Sequence, residues 1–255
     1  MRFYVVKSKL IKYLALMFCL LAVLSINWNG QGAFANVFFN KTVRRIPIYC
    51  VDTSEKNISI SFDAAWGSDK TQAILDILKE HNISATFFLV GMWVDKYPEM
   101  VKKIDEQGIE IGTHSNLHPD LSKMSTTQIE LELSTSTKKI EEITNKKVTL
   151  FRAPYGAYNN AVINTAEKLG LSTIQWDVDS LDWKGISAGN ISNNILKKVK
   201  NGSIILCHNN SDHIVEALPG IILFLKARGY NFVSIGDLIY KEDFRIDSTG
   251  KQIKI

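Results

Sequence analysis

Residues 85–90, Ala-Thr-Phe-Phe-Leu-Val, are apolar at almost every position, with no alternation of polar and apolar side chains. Alternation marks a strand with one wet face. An unbroken apolar run marks a strand buried on both faces, as in a parallel sheet covered by helices. Before it, Ile74, Leu75, Ile77 and Leu78 make an apolar stripe along Thr71–Glu80, so this segment reads as a helix with Asp69 as its N-cap. Ile58–Phe62 is a short β-like run ahead of that helix. After the apolar run, Pro98 opens a helix through Ile104 that stops at Gly108.

The alternation continues to the far end of the chain. Strands are expected at Ile109–Gly112, Thr149–Arg152, Ser172–Trp176, Ser203–Leu206 and Asn231–Val233. Helices are expected at Thr126–Ile143, Asn160–Leu169, Ile191–Val199 and Ile214–Ala227, with a last turn at Ile235–Tyr240. Residues 57–240 therefore read as one α/β domain, 36–56 as a linker or peripheral strand, and 241–255 as a polar, loose tail. Seven or so strands alternating with helices imply a parallel sheet with covering helices. A distorted (β/α) barrel and an open doubly wound sheet both fit. No G-x-G-x-x-G or P-loop pattern follows any strand, so a nucleotide-binding fold has no support.

The N-terminus carries its own signal. Arg2, Lys7, Lys9 and Lys12 precede the apolar run Tyr13–Ile26, and no acidic residue comes before Asp52. This reads as a secretory signal, with cleavage expected after Ala33-Phe34-Ala35. The run is short of the roughly 20 apolar residues of a bilayer span, although a retained anchor touching the membrane is the competing reading. Either way the domain is expected outside the cytoplasm. The net charge of +4 lies in those four cations, because the rest of the chain balances its Lys and Arg against 26 Asp and Glu. A nucleic-acid partner would need a basic face, and none is expected. Of the three Cys, Cys19 falls in the apolar run and Cys207 in a strand, so no disulfide framework is implied.

Polar residues gather where the expected strands end, which is where barrel enzymes carry their chemistry. The ends read Ser61-Phe62-Asp63-Ala64, His114-Ser115-Asn116-Leu117-His118, Arg152-Ala153-Pro154-Tyr155, Asp179-Ser180-Leu181-Asp182-Trp183 and Leu206-Cys207-His208. Three of the five His are here. His114 and His118 can converge on a divalent metal, or can be two surface His of a loop. Asp63 ends an apolar strand, where an unpaired carboxylate is costly; a helix N-cap is the bland alternative. Arg152 can pair with a carboxylate in a fork, for catalysis or for structure. Asp182 and His208 make a carboxylate–imidazole pair, in which the carboxylate sets the tautomer and raises the imidazole pKa. Five such ends together point to an active site.

These segments resemble the polysaccharide deacetylases, the family with the NodB homology domain, over about Asn57 to Leu238. The family pattern H-S/T-x-x-H appears as HSNLH, R-x-P-Y/F as RAPY, D-x-x-D-W as DSLDW and L-x-H as LCH. The wording SFDAAWG and NGSIILCHNN is similar to the sporulation-associated branch. The resemblance implies a distorted NodB-like barrel and removal of N-acetyl groups from a cell-wall polysaccharide, with peptidoglycan the first choice. It implies Asp63 as base, Arg152 holding Asp63 ionised, His208 as acid and Asp182 tuning it. It implies a divalent metal, Zn or else Co or Mn, on His114 and His118, the Tyr155 N–H at the oxyanion, and Trp183 and Leu206 walling the acetyl pocket. One pattern breaks. The family's T-F-D-D is Ser61-Phe62-Asp63-Ala64, so the metal-ligating Asp is replaced by Ala64. A wall-polymer-binding protein that has lost turnover, or an acetyl esterase, are the alternatives this break opens.

Overall fold

The computed structural model describes residues 11–19 and 43–255. Residues 11–19 are helical and form part of a separate unit, 1–43, from the body at 44–255. The expected cleavage site at 33–35 lies outside the described residues. Among the described residues, no helix is long and apolar enough to cross a membrane.

The body is built on strands that are parallel in the main sheet and mixed in a small second sheet. In chain order they are β1 (Cys50–Val51), β2 (Asn57–Ala64), β3 (Thr86–Leu89), β4 (Glu110–Thr113), β5 (Leu150–Phe151), β6 (Ser172–Thr173), β7 (Val178–Asp179), β8 (Ile204–His208), β9 (Asn231–Phe232), β10 (Phe244–Ile246) and β11 (Lys251–Lys254). The helices are α1 (Thr71–Glu80), α2 (Gly91–Lys96), α3 (Pro98–Glu106), α4 (Thr126–Thr144), α5 (Asn160–Lys168), α6 (Ala188–Leu196), α7 (Ile214–Ala227) and α8 (Ile235–Leu238). The main sheet has the order β6-β5-β4-β3-β2-β8-β7, with β9 on the lower end of β2.

That order proves the curl of the sheet. Laid flat, its two edge strands would stand roughly 29 Å apart, at about 4.8 Å per neighbour. Yet β6 ends at Thr173 and β7 begins at Val178. The five steps between them reach about 18 Å when fully extended. The edges must therefore approach each other, and the sheet is a distorted barrel whose one gap is crossed by residues 174–177. Ile48 lies in that gap, bridged in parallel to Ile174. The open-sheet alternative is excluded. The expected single strand Ser172–Trp176 is corrected to two short strands on opposite edges, because the chain leaves one edge to reach the other.

Strand alternation sorts the side chains into two cores. Ile58, Ile60, Phe62 and Ala64 of β2 join Phe87, Leu89, Ile205 and Cys207 in the cluster that packs with the helices. The opposite parity points into the barrel, where Phe88, Leu150, Ile174 and Ile204 form a smaller cluster. At the upper end this inner parity delivers Asp63, Leu206 and His208 to one place. Gly112 also has inner parity. A Cβ there would stand 2.7 Å from the Phe88 ring, so only Gly leaves that ring room.

Two further expectations need correction. The tail is ordered rather than loose: β10 and β11 pair with each other and with β1. Its only wholly buried polar group, Gln252, spans the Tyr240 N–H and C=O with its amide. The segment looked loose because its strands are short and its side chains mostly polar. Asp69 is not a cap: α1 begins after Lys70, with no side-chain cap, and its first N–H bonds the Ser68 carbonyl.

Candidate active site

A cavity of about 700 Å³ opens at the C-terminal ends of the strands. Asp63, His114, His118, Tyr155, Asp182, Trp183, Leu206 and His208 line it, so eight of the nine candidate residues meet there. The ninth, Arg152, is fully buried behind Asp63.

Asp63 sits in register between Phe88 of β3 and His208 of β8. The Arg152 Nη1 donates to Asp63 Oδ1 at 2.7 Å, and Nη2 donates to the Gln175 carbonyl at 3.2 Å. The guanidinium lies 4.2 Å from the centre of the Phe88 ring and 5.6 Å from Trp176. Burial alone would raise the Asp63 pKa. Burial is the largest single influence, but the Arg152 charge and hydrogen bond, with His114 and His208, together outweigh it and hold the carboxyl below its ordinary range. Asp63 is thus an ionised carboxylate with one oxygen committed to Arg152. The N-cap reading of Asp63 does not apply.

The loop after β4 carries the two imidazoles. His114 Nδ1 lies 2.8 Å from the Arg152 carbonyl. A carbonyl cannot donate, so Nδ1 holds the proton and Nε2 is left as a lone pair. That lone pair is 3.5 Å from Asp63 Oδ2. Burial lowers the His114 pKa, so this contact joins two acceptors rather than an ion pair. His118 has φ +61°, and its ring centre is 4.9 Å from that of His114. Its pKa falls to about 4, through burial and then His114, and its buried Nδ1 has no hydrogen-bond partner. The loop keeps this strained shape because Glu132 of α4 accepts the N–H groups of Asn116 and Leu117, each at 2.9 Å. Sequence reasoning missed Glu132. It is one Glu of a Glu-rich helix, and nothing local marks it.

On the other wall, His208 Nδ1 donates to Asp182 Oδ1 at 2.7 Å, and the His208 N–H donates to Asp182 Oδ2 at 2.8 Å. Burial would lower the His208 pKa, but the Asp182 bond and charge overcome it and raise the pKa. Tyr155 stands at φ +60° in the turn after β5. Its N–H makes no hydrogen bond within the described residues, whereas those of Gly156 and Ala157 bond Ala153 and Pro154.

A divalent metal is implied by the resemblance, so the donor set can be tested. Two neutral imidazoles with free lone pairs suit an ion. Catalytic zinc sites, however, keep three protein ligands. Ala64 is fully buried in the apolar cluster under the helices. Among the described residues, no group of three His, Cys, Asp or Glu could hold an ion. The residues present do not fit a three-ligand centre.

The family model for polysaccharide deacetylase matches residues 51–174. The peptidoglycan-N-acetylmuramic acid deacetylase PdaA of Bacillus subtilis is 33% identical over 240 residues, 88% of this chain and 89% of that protein. The peptidoglycan-N-acetylglucosamine deacetylase PgdA of Listeria monocytogenes is 38% identical over 199 residues, 78% of this chain but 41% of that protein. The crystal structure of BA3943 of Bacillus anthracis, a CE4 family pseudoenzyme, superposes with a TM-score of 0.74 at 32% identity, covering 82% of this chain and 72% of that one.

Two outcomes are expected from the site. His208 has a folded pKa above its unfolded value, so its pairing stabilises fully below about pH 6.5 and is lost as pH rises through the folded value. Asp182→Asn should therefore cost about 2 kcal/mol near pH 5 and much less near pH 9. Urea denaturation at both pH values measures it; equal losses would refute the charged pair. Ala64→Asp puts a carboxylate at the last residue of β2, the position the resemblance gives to a metal ligand, although Ala64 itself packs on the helix side of the strand. With chelator present its melting temperature should fall by roughly 5–15 °C. Zinc should restore it, and calorimetry should read tighter zinc binding than in the wild type. No gain in affinity would mean that position 64 cannot reach the imidazoles.

Proposed function

The chain belongs to the polysaccharide deacetylase family, and from that membership we propose that it removes N-acetyl groups from the glycan of a cell wall, peptidoglycan first, by hydrolysis. The observation that carries this reading is the placement of an ionised Asp63 and a raised-pKa His208 on neighbouring strands of one cavity. One group accepts a proton at neutral pH and the other can donate one, as amide hydrolysis requires.

The chain's own residues divide the work. Arg152 keeps Asp63 charged and leaves Oδ2 facing the cavity as the proton acceptor for an attacking water. The water oxygen bonds to the acetamide carbon, and the carbonyl becomes an oxyanion. The unpaired Tyr155 N–H is the donor placed for that oxyanion. His208, held by Asp182, gives its proton to the nitrogen as the C–N bond breaks, which releases acetate and the free amine. Leu206 and Trp183 are the walls for the acetyl methyl. The imidazoles of His114 and His118 are the groups toward which a zinc, cobalt or manganese ion would be drawn. No step is assigned through an ion, since the third ligand is missing.

A second reading has its own support. A general base works best with a pKa near the operating pH, and Asp63 is held well below that. With Ala64 beside it, this site suits a protein that grips the polymer and turns over slowly, and a pseudoenzyme is among its structural neighbours. An acetyl ester, with its better leaving group, would be the easier substrate for such a site.

Export is proposed on the N-terminal pattern, with the domain acting outside the cytoplasm, free or anchored at the membrane. A role in sporulation is proposed on the likeness of SFDAAWG and NGSIILCHNN alone.

The test is Asp63→Asn, assayed for acetate release from peptidoglycan and from acetylated oligosaccharides. Loss of a general base should lower the rate about 100- to 10,000-fold while polymer binding and folding persist. Release at the wild-type rate would end this mechanism.

A further inference from the structure

Trp66 has no part in the chemistry above, yet it stands at the cavity wall. It is 58% exposed, while the loop that carries it is fixed. The Gly67 carbonyl accepts the Trp93 indole N–H at 2.6 Å and the Asn209 amide at 2.9 Å. Gly67 takes φ +61° against Asn210, where a Cβ would meet the Asn210 amide at 2.7 Å. One edge contact, to His118 at 4.8 Å, sets the ring's tilt. A large apolar ring held rigid and open to water costs solvation without adding to a core, and such rings mark binding sites. Two other rings of the wall, Tyr155 and Trp183, are as exposed as Trp66. Tyr155 also packs on His118, at 4.6 Å, and Trp183 has the Lys184 ammonium 5.0 Å from its ring centre.

The charges at the wall narrow the ligand. Asp63, Asp179, Asp182 and Asp212 line the cavity, and no Lys or Arg does. Arg152 is spent on Asp63, and Lys70 is paired with Asp212 at 3.0 Å. Lys184 lies against Trp183 outside the lining. A sugar that brings a carboxylate would meet these carboxylates, and the one cationic side chain of the lining, His208, is already paired with Asp182. A neutral pyranose brings a C–H face that stacks on an indole and hydroxyls that suit acceptors.

We propose that Trp66 is a sugar-stacking platform, and that with the acidic wall it makes the site select a neutral acetamido sugar, an N-acetylglucosamine unit, over one bearing a lactyl carboxylate, an N-acetylmuramic acid unit. This rests on the glycan reading above but not on turnover. Calorimetry with the full-length protein tests it, using an N-acetylglucosamine tetramer and a peptide-free alternating tetramer that contains N-acetylmuramic acid. The wild type should bind the first at least about tenfold more tightly. Trp66→Ala should weaken that binding about tenfold or more, with an unchanged melting temperature, and Trp66→Tyr should restore most of it. Equal binding by Trp66→Ala, or a wild-type preference for the alternating tetramer, would overturn the proposal. Acetate release measured in parallel reads the hydrolytic reading separately. Absent turnover with Trp66-dependent binding would sink that reading and leave this one standing.

Discussion

The ion pair of Arg152 with Asp63 governs the mouth of the barrel. Both groups are buried, and a buried charge with no partner is among the costliest features a fold can carry. Each therefore dictates the other's position. The guanidinium is further confined between Phe88 and Trp176, and Phe88 can lie there because residue 112 is Gly. One oxygen of Asp63 is consumed by this arrangement, and the other is turned toward His114 and the cavity. The Arg152 backbone serves the same end, since its carbonyl fixes the His114 tautomer. A single residue thus orients the carboxylate through its side chain and the imidazole through its main chain.

Much of this was legible before any coordinates. The unbroken apolar run at 85–90 announced a strand buried on both faces. Once the strands were placed, their ends named the polar residues, and inner parity brought Asp63, Leu206 and His208 to one spot. What escaped was set by distant contacts. Glu132 holds the His loop from a helix that carries three other Glu residues, so no local pattern distinguishes it. Trp66 stood inside SFDAAWG, but exposure and loop rigidity are properties of the fold. The gap at 174–177 and the ordered tail were hidden for a related reason. Strands of two to four residues carry too little periodicity to announce themselves, and they exist here because partners wait for them.

The two halves of the site differ in what they depend on. The His208 half is complete within the chain. Asp182 binds both the ring and the backbone N–H of His208, while Ser180 Oγ accepts the Asp182 N–H and Ser211 Oγ donates to its carbonyl. The Asp63 half is different. Arg152 makes Asp63 secure as an anion, and the same charge makes it a reluctant proton acceptor. Two imidazoles stand at the cavity, and strand parity sends residue 64 to the helix layer as a methyl.

It follows that grip and turnover are separable properties of this fold. The cavity and its aromatic rim draw on β5, β8 and the loops after β2 and β7, whereas residue 64 packs on the helix side of β2. A relative that differs chiefly at this position could differ greatly in rate and little in shape. Likeness of fold within this family is consequently a weak guide to the rate.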